Sequence, residues 1–166
     1  MRKEHIKISG KRVLIKKINL SDIKQSFVNR LNDKNLMIFS RHKNSIHTLA
    51  TCKNYFLSFQ KTENLYLSIL DKNTKKLIGT MTVYFKKKYL EANIGILISS
   101  KKHLKKGYGQ EAWTCLLDYL KEEIKVRNII GGCLKKNLKM INIFKKSDMK
   151  YYSTNSKKEI FYIKKN

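Results

Sequence analysis

Within ten residues after Ser99 the chain changes its periodicity. The alternating segment Glu91 to Ile98 gives way to the basic run Lys101-Lys102-His103-Leu104-Lys105-Lys106, then to Gly107-Tyr108-Gly109-Gln110. From about Gln110 to Glu123 apolar residues recur at helical spacing, with Ala112, Leu116, Leu120 and Ile124 on one stripe. A strand that passes through a glycine turn straight into a helix excludes all-helical and all-β solutions. It also sets the positive end of a helix, with its unpaired N–H groups, beside a backbone that a ligand can approach closely. The lysines around the turn favour an anion, and a polyphosphate suits them better than a neutral group.

The remaining segments complete a mixed α/β pattern. Val13 to Ile18 is a short strand. Ser21 is placed to cap a first helix with Ile23, Phe27 and Leu31 inward, and Thr48 to cap a second with Leu49, Cys52, Phe56 and Phe59 inward. Three strands follow, Leu65 to Leu70, Leu77 to Phe85 and Glu91 to Ile98, and their short connections imply an antiparallel meander. After the glycine-led helix come a strand at Asn128 to Leu134, a helix at Leu138 to Lys146, and two strands, Met149 to Thr154 and Ile160 to Ile163, around Asn155-Ser156. The order is β-α-α-β-β-β-α-β-α-β-β, read as one domain over residues 1–166, with the first ten residues and the last few expected to fray.

Composition narrows the function classes. The chain has 166 residues and a formal charge of +25, from 37 Lys and Arg against 12 Asp and Glu. Of the basic residues 32 are Lys and five are Arg, proline is absent, and Lys, Asn and Ile together fill 65 positions. Those three residues have A/T-rich codons and proline C-rich ones, so base composition accounts for the charge without nucleic acid as a partner. Lysine also lacks the forked geometry by which arginine reads bases. No apolar run approaches the ~20 residues that cross a bilayer, and Met1 to Gly10 lacks the apolar stretch of a signal peptide, so a soluble cytoplasmic protein is expected. Cys52, Cys115 and Cys133 are far apart and have no C-x-x-C spacing, so we expect core thiols and no metal site.

The element order and the glycine turn together resemble the GNAT superfamily of N-acetyltransferases, over Val13 to Ile163. That family's acetyl-CoA signature, R/Q-x-x-G-x-G/A, is met by Leu104-Lys105-Lys106-Gly107-Tyr108-Gly109, with Leu104 departing at the first position, followed by Gln110-Glu111-Ala112. Asn137-x-x-Met140-Ile141-x-x-Phe144-Lys145-Lys146 is similar to the family's N-x-x-S-I-x-x-Y-E-K helix. Here Phe144 stands where a tyrosine commonly protonates the departing thiolate. The resemblance implies a central, mostly antiparallel twisted sheet flanked by helices on both faces. It also implies acetyl-CoA as cosubstrate, held by Lys105, Lys106, Gly107, Tyr108, Gly109 and Gln110, by Ile96, Leu97 and Ile98 on the preceding strand, and by Asn137 and Phe144. Asn137 serves equally as an N-cap for its helix, and Phe144 as a core residue.

Attack of an amine on a thioester requires an unprotonated nitrogen. Alternation sets Glu91 on one strand face with Asn93, Gly95 and Leu97, and Glu91 is the expected base, acting directly or through water. A backbone N–H near Leu97, by resemblance, polarises the carbonyl. The loop Ser40 to Thr48 falls on the acceptor side, where Arg41 suits a phosphate or carboxylate and His47 a hydrogen bond. This segment resembles the RimJ/RimL-like branch more than the aminoglycoside-modifying branch, and the resemblance implies a small, anionic amine acceptor such as a nucleotide-linked amino sugar. Alternatives are a protein N-terminus and a non-catalytic nucleic-acid-binding module. No membrane partner is expected, and no oligomeric state is assigned.

Overall fold

The computed structural model describes residues 6–40 and 42–166, so Arg41 lies outside the described residues. Alternating sequence builds the sheet. Its strands are β1 (Lys7–Ser9), β2 (Val13–Lys17), β3 (Leu65–Asp71), β4 (Leu77–Lys86), β5 (Glu91–Ile98), β6 (Asn128–Leu134), β7 (Lys150–Thr154) and β8 (Glu159–Lys165). They lie in the order β1-β2-β3-β4-β5-β6-β8-β7. Every neighbouring pair is antiparallel except β5 and β6. A parallel pair needs a crossover, and the glycine-led helix α3 (Tyr108–Glu122) supplies it.

Helices cover both faces. On one, α3 and α4 (Leu138–Lys146) pack Trp113, Leu116, Leu120 and Phe144 against Leu67, Met81, Val83, Ala92 and Ile94. On the other, α1 (Gln25–Leu31) and α2 (Leu49–Gln60) enclose a smaller cluster of Phe27, Val28, Cys52, Phe59 and Tyr66. Covered on both sides, β3 is buried along its whole length. Each large apolar side chain so buried contributes about 1.5–3 kcal/mol.

Two local expectations shift. Thr48 caps α2, its side chain accepting from Thr51 N, but Ser21 caps no helix. The Asn19 N–H donates to Asp22 Oδ2 at 3.0 Å, which closes a 3-10 turn over Leu20–Asp22 and delays α1 to Gln25. The first ten residues are not all frayed, because Lys7–Ser9 pairs with Leu14–Lys16 as an edge strand.

The register of the central strands matters most for function. Parallel pairing of β5 with β6 runs from Glu91↔Asn128 to Ile94↔Gly131 and stops. Beyond it β5 stays with β4 as far as Ile98↔Gly79, while β6 stays with β8 as far as Leu134↔Glu159. The sheet therefore opens into a V between Gly95–Ile98 and Gly132–Leu134. Gly79 permits the close approach on the β5 arm, where a Cβ would stand 2.4 Å from the Leu97 carbonyl oxygen.

Candidate active site

The glycine turn lies at the foot of the V. Gly107 caps α3 with φ +83°, in the left-handed region, and Lys105 has φ 59°. The first-turn N–H groups of Tyr108, Gly109 and Gln110 have no helical acceptor, and among the described residues no other backbone carbonyl takes them. A Cβ on Gly109 would meet Ile98 and Ile143 at 3.5 and 3.6 Å, ordinary contact distances, so packing tolerates a methyl group there. The bare backbone is what an approaching phosphate needs.

Side chains from distant segments brace this turn. The Arg12 guanidinium donates from Nε to Glu111 Oε2 at 2.9 Å and from Nη1 to the Lys106 carbonyl at 2.9 Å, and it lies 4.5 Å over the Tyr108 ring. Glu111 Oε1 accepts from the backbone N–H groups of Arg12 and Val13 at 2.6 and 3.2 Å. Burial pushes the Glu111 carboxyl up, but these donors outweigh it and leave it below its ordinary value. Tyr108 donates its hydroxyl to Asp71 Oδ2 at 3.1 Å, and His103 Nε2 stands 3.5 Å from the same oxygen. Asp71 is held at about 2 by bonds from the Thr74 N–H and hydroxyl, then from Tyr108 and the Asn73 N–H.

A cleft of about 1050 Å³ follows the V, and its lining includes none of residues 105–110. Ile96 and Leu97 line it from β5, Gly132, Cys133 and Leu134 from β6, and Asn137 and Met140 from the start of α4. Trp113 lies beneath, its buried Nε1 without a partner among the described residues. Burial raises the Cys133 thiol to about 11, so it stays protonated at neutral pH. On the face covered by α1 and α2 the cleft widens over Tyr66, Thr80, Thr82, Tyr84 and Asn93. Tyr55 from α2 shares a 2.9 Å hydrogen bond with the Tyr84 hydroxyl, and burial raises the Tyr55 and Tyr66 phenols.

The residues expected from sequence fall into three groups. Lys105, Lys106, Gly107 and Gly109 form the turn, Ile96, Leu97 and Asn137 line the cleft along the V, and Ile98 packs beside Gly109. Asn137 does cap α4, accepting from Met140 N at 3.2 Å, and it lines the cleft as well. His47 also lines it, its backbone bonded both ways to the Asn32 amide and its Nε2 buried without a partner among the described residues.

The second group is turned elsewhere. Tyr108 reaches back to Asp71, Gln110 donates to Ser147 Oγ at 2.9 Å, and Lys101 pairs with Asp33 at 2.6 Å. Phe144 is fully buried between Trp113 and Tyr162, as a core residue and not a wall of the cleft. Glu91 forms the third. It begins β5 at the closed end of the V, pairs with Lys87 Nζ at 3.7 Å, and is not among the residues lining the cleft. Six residues of strand put it about 20 Å from Leu97. Face parity was met, but the sheet splits at the other end, so the structure does not bring Glu91 to the reaction.

Arg12 and Glu159 are among the site residues that escaped the sequence reading. Arg12 acts on Glu111 across 99 positions, and nothing local to either marks the pair. Glu159 begins β8 opposite Leu134, 7% exposed and on the wall of the cleft.

A V-split mixed sheet with a glycine-led helix beside the split is the frame of the site. The sequence profile described as an acetyltransferase (GNAT) domain matches residues 12–150, and the chain belongs to that family. It is an acetyl-CoA-dependent N-acetyltransferase. A GNAT-family acetyltransferase from Bacillus anthracis superposes with a TM-score of 0.81 at 20% identity, over 96% of this chain and 98% of that one. The ribosomal L7/L12 α-N-protein acetyltransferase RimL, solved with coenzyme A, gives 0.82 at 10% identity over 96% and 98%. Spermidine N-acetyltransferase from Vibrio cholerae, solved with coenzyme A and spermine, gives 0.77 at 14% over 92% and 93%. No curated protein sequence matches the chain at a significant level. Among the described residues no helix is long and apolar enough to cross a membrane.

Proposed function

We propose that the protein acetylates the primary amine of a small, anionic acceptor, such as a nucleotide-linked amino sugar, in the cytoplasm. The observation that carries this reading is the lining of the wide end of the cleft. It combines the aromatic rings of Phe39, Tyr55 and Tyr84 with His42, His47 and Lys86, and includes one carboxylate among the described residues. Rings, imidazole donors and a lysine suit a sugar or base bearing phosphate. A polycation would need several carboxylates, and a chain of charge +25 repels it at long range.

The free N–H groups at residues 108–110, with Lys105 and Lys106, fit the pyrophosphate, and the unpaired edge of β5 at Ile96–Ile98 fits the pantetheine arm and supplies N–H donors toward the carbonyl. Bound acetyl-CoA supplies a thioester carbonyl at the V. The orphaned Trp113 Nε1 and the Asn137 side chain are polar groups already present along that path.

A peptide N-terminus is the second reading, favoured by the likeness to the ribosomal-protein enzyme. Acetyl-CoA incubated with separate panels of nucleotide amino sugars and peptides decides between them by mass shift. Transfer to the sugars is expected. Transfer to peptide N-termini alone would reverse the ranking.

A further inference from the structure

The amine face of the cleft needs a proton acceptor that Glu91 does not provide. At pH 7 roughly one α-amino group in ten is unprotonated, and an alkylamine of pKa near 10.4 is free only about once in 2,500. Glu159 is the carboxylate among the described residues that line the cleft. It stands on the acceptor side of the sheet, because Ile160 and Tyr162 point into the core beneath α4 while Glu159 and Phe161 alternate to the opposite face. Its partner across β6 is Leu134, on the open arm of the V.

A carboxylate this enclosed must be hydrogen-bonded. Asn155, in the β7–β8 turn and itself on the cleft wall, donates from Nδ2 to Glu159 Oε2 at 2.7 Å, and its Oδ1 accepts from the N–H groups of Glu159 and Lys157 at 3.1 and 3.0 Å. One amide thus holds both the side chain and the backbone of Glu159.

From this placement we infer that Glu159 receives the acceptor's ammonium group and takes its proton, with Asn155 as the residue that positions it. The inference rests on the acetyl-transfer reading and deepens it. The proton passes from nitrogen to the carboxylate, leaving neutral amine and carboxylic acid. The nitrogen lone pair then forms the N–C bond as the C–S bond breaks, and the nitrogen's second proton ends on sulfur. Glu159 returns its own proton to solvent once product leaves. Among the described residues the other titratable groups on the cleft are Cys133 on β6, His42 and His47 on the loop before α2, Cys52 and Tyr55 on α2, and Tyr66, Tyr84 and Lys86 on β3 and β4. Lys157 and Lys158 flank Glu159 in its own turn.

Trp113 is the chain's single tryptophan and lies on the cleft, so its fluorescence reports occupancy apart from turnover. Propylamine and glycinamide serve as acceptors of high and low pKa, followed by thiol release from pH 6 to 9. For Glu159→Gln we expect kcat/KM to fall about 10²-fold or more at pH 7 with propylamine. The loss should be smaller with glycinamide and should shrink for both as pH rises. Coenzyme A should quench Trp113 with an unchanged midpoint, Glu159→Asp should recover part of the rate, and Asn155→Ser should lose about tenfold with the same pH trend. A loss equal at every pH, no loss, or His47→Asn reproducing the pH-dependent loss in place of Glu159→Gln would overturn the assignment. So would a wild type that binds coenzyme A but turns over neither amine. Failure of coenzyme A to quench wild type would instead defeat the acetyl-transfer reading.

Discussion

The glycine turn and the wide end of the cleft are held by different physics. In the proposed reading the turn offers the cosubstrate backbone N–H donors with Lys105 and Lys106 beside them, and the side chains that reach it from other segments brace that backbone. Arg12, Glu111, Asp71, Tyr108 and His103 converge on the turn from four segments, with charge-assisted bonds among them. At the proposed acceptor end the cleft offers side chains, and the Asn32 amide ties the loop before α2 through the His47 backbone. Ile38 and Ile46 are left exposed there. A backbone cradle binds whatever phosphate it meets and tolerates change in the residues around it, whereas a side-chain surface changes its ligand with each substitution. The difference separates a common cosubstrate from an individual acceptor.

The sharpest way to break the comparison is to obstruct the backbone. A Cβ at Gly109 meets Ile98 and Ile143 at ordinary distances, and the remaining atoms of Gly109→Leu are expected to crowd the approach to the turn. We expect coenzyme A affinity to fall more than 100-fold by calorimetry, with the thermal midpoint little changed. Normal affinity would mean that the turn is not the phosphate site.

Removing a brace should do less than obstructing the cradle. Arg12→Ala takes away the bonds to Glu111 and to the Lys106 carbonyl, and frees Tyr108. Hydrogen bonds to charged groups are worth about 1.5–3 kcal/mol each, less here because the arginine is partly exposed. We expect KM for acetyl-CoA to rise about tenfold and kcat to change less than threefold. Glu111→Gln should overlap with it, so that the double variant is little worse than either single one. Additive losses would show that the two residues act separately.

The same contrast explains what the sequence reveals. Gly107 and Gly109 are legible because the function needs neighbouring backbone groups, and strand, turn and helix follow one another in the chain. The braces are not, since Arg12 and Glu111 meet only once the β1–β2 turn is folded against α3. Parity along a strand places Glu91 and Asn93 on the proper face but carries no information about where two strands part, and that point decides which of them sees the cleft. Glu159 is hidden for the complementary reason. Its neighbours in sequence are a lysine-rich turn and a core strand, and only the β6–β8 register carries it to the V. Phe144 fits the motif's spacing, but its helix rotates it onto Trp113.

The smallest expected effect concerns Asp71, which braces the turn at one remove through Tyr108. Its carboxylate has a folded pKa of about 2 against an ordinary 3.8, chiefly through the bonds from Thr74. A depressed pKa stabilises the fold where the carboxylate is ionised in both states, so the contribution is complete above about pH 4. It is lost as pH falls through the folded value near 2, because the unfolded chain takes up the proton first. Asp71→Asn keeps the volume and cannot titrate. Its thermal midpoint should start lower than wild type at pH 7 and converge toward it between pH 4 and 2, the window set by those two values. The turn itself remains held by Arg12 and Glu111, so KM for acetyl-CoA at pH 7 should rise only two- to threefold. Midpoints that run parallel across the acid window would remove Asp71 from the acid-sensitive groups of the fold, and a KM shift as large as that of Arg12→Ala would place it beside Arg12 as a direct brace of the cradle.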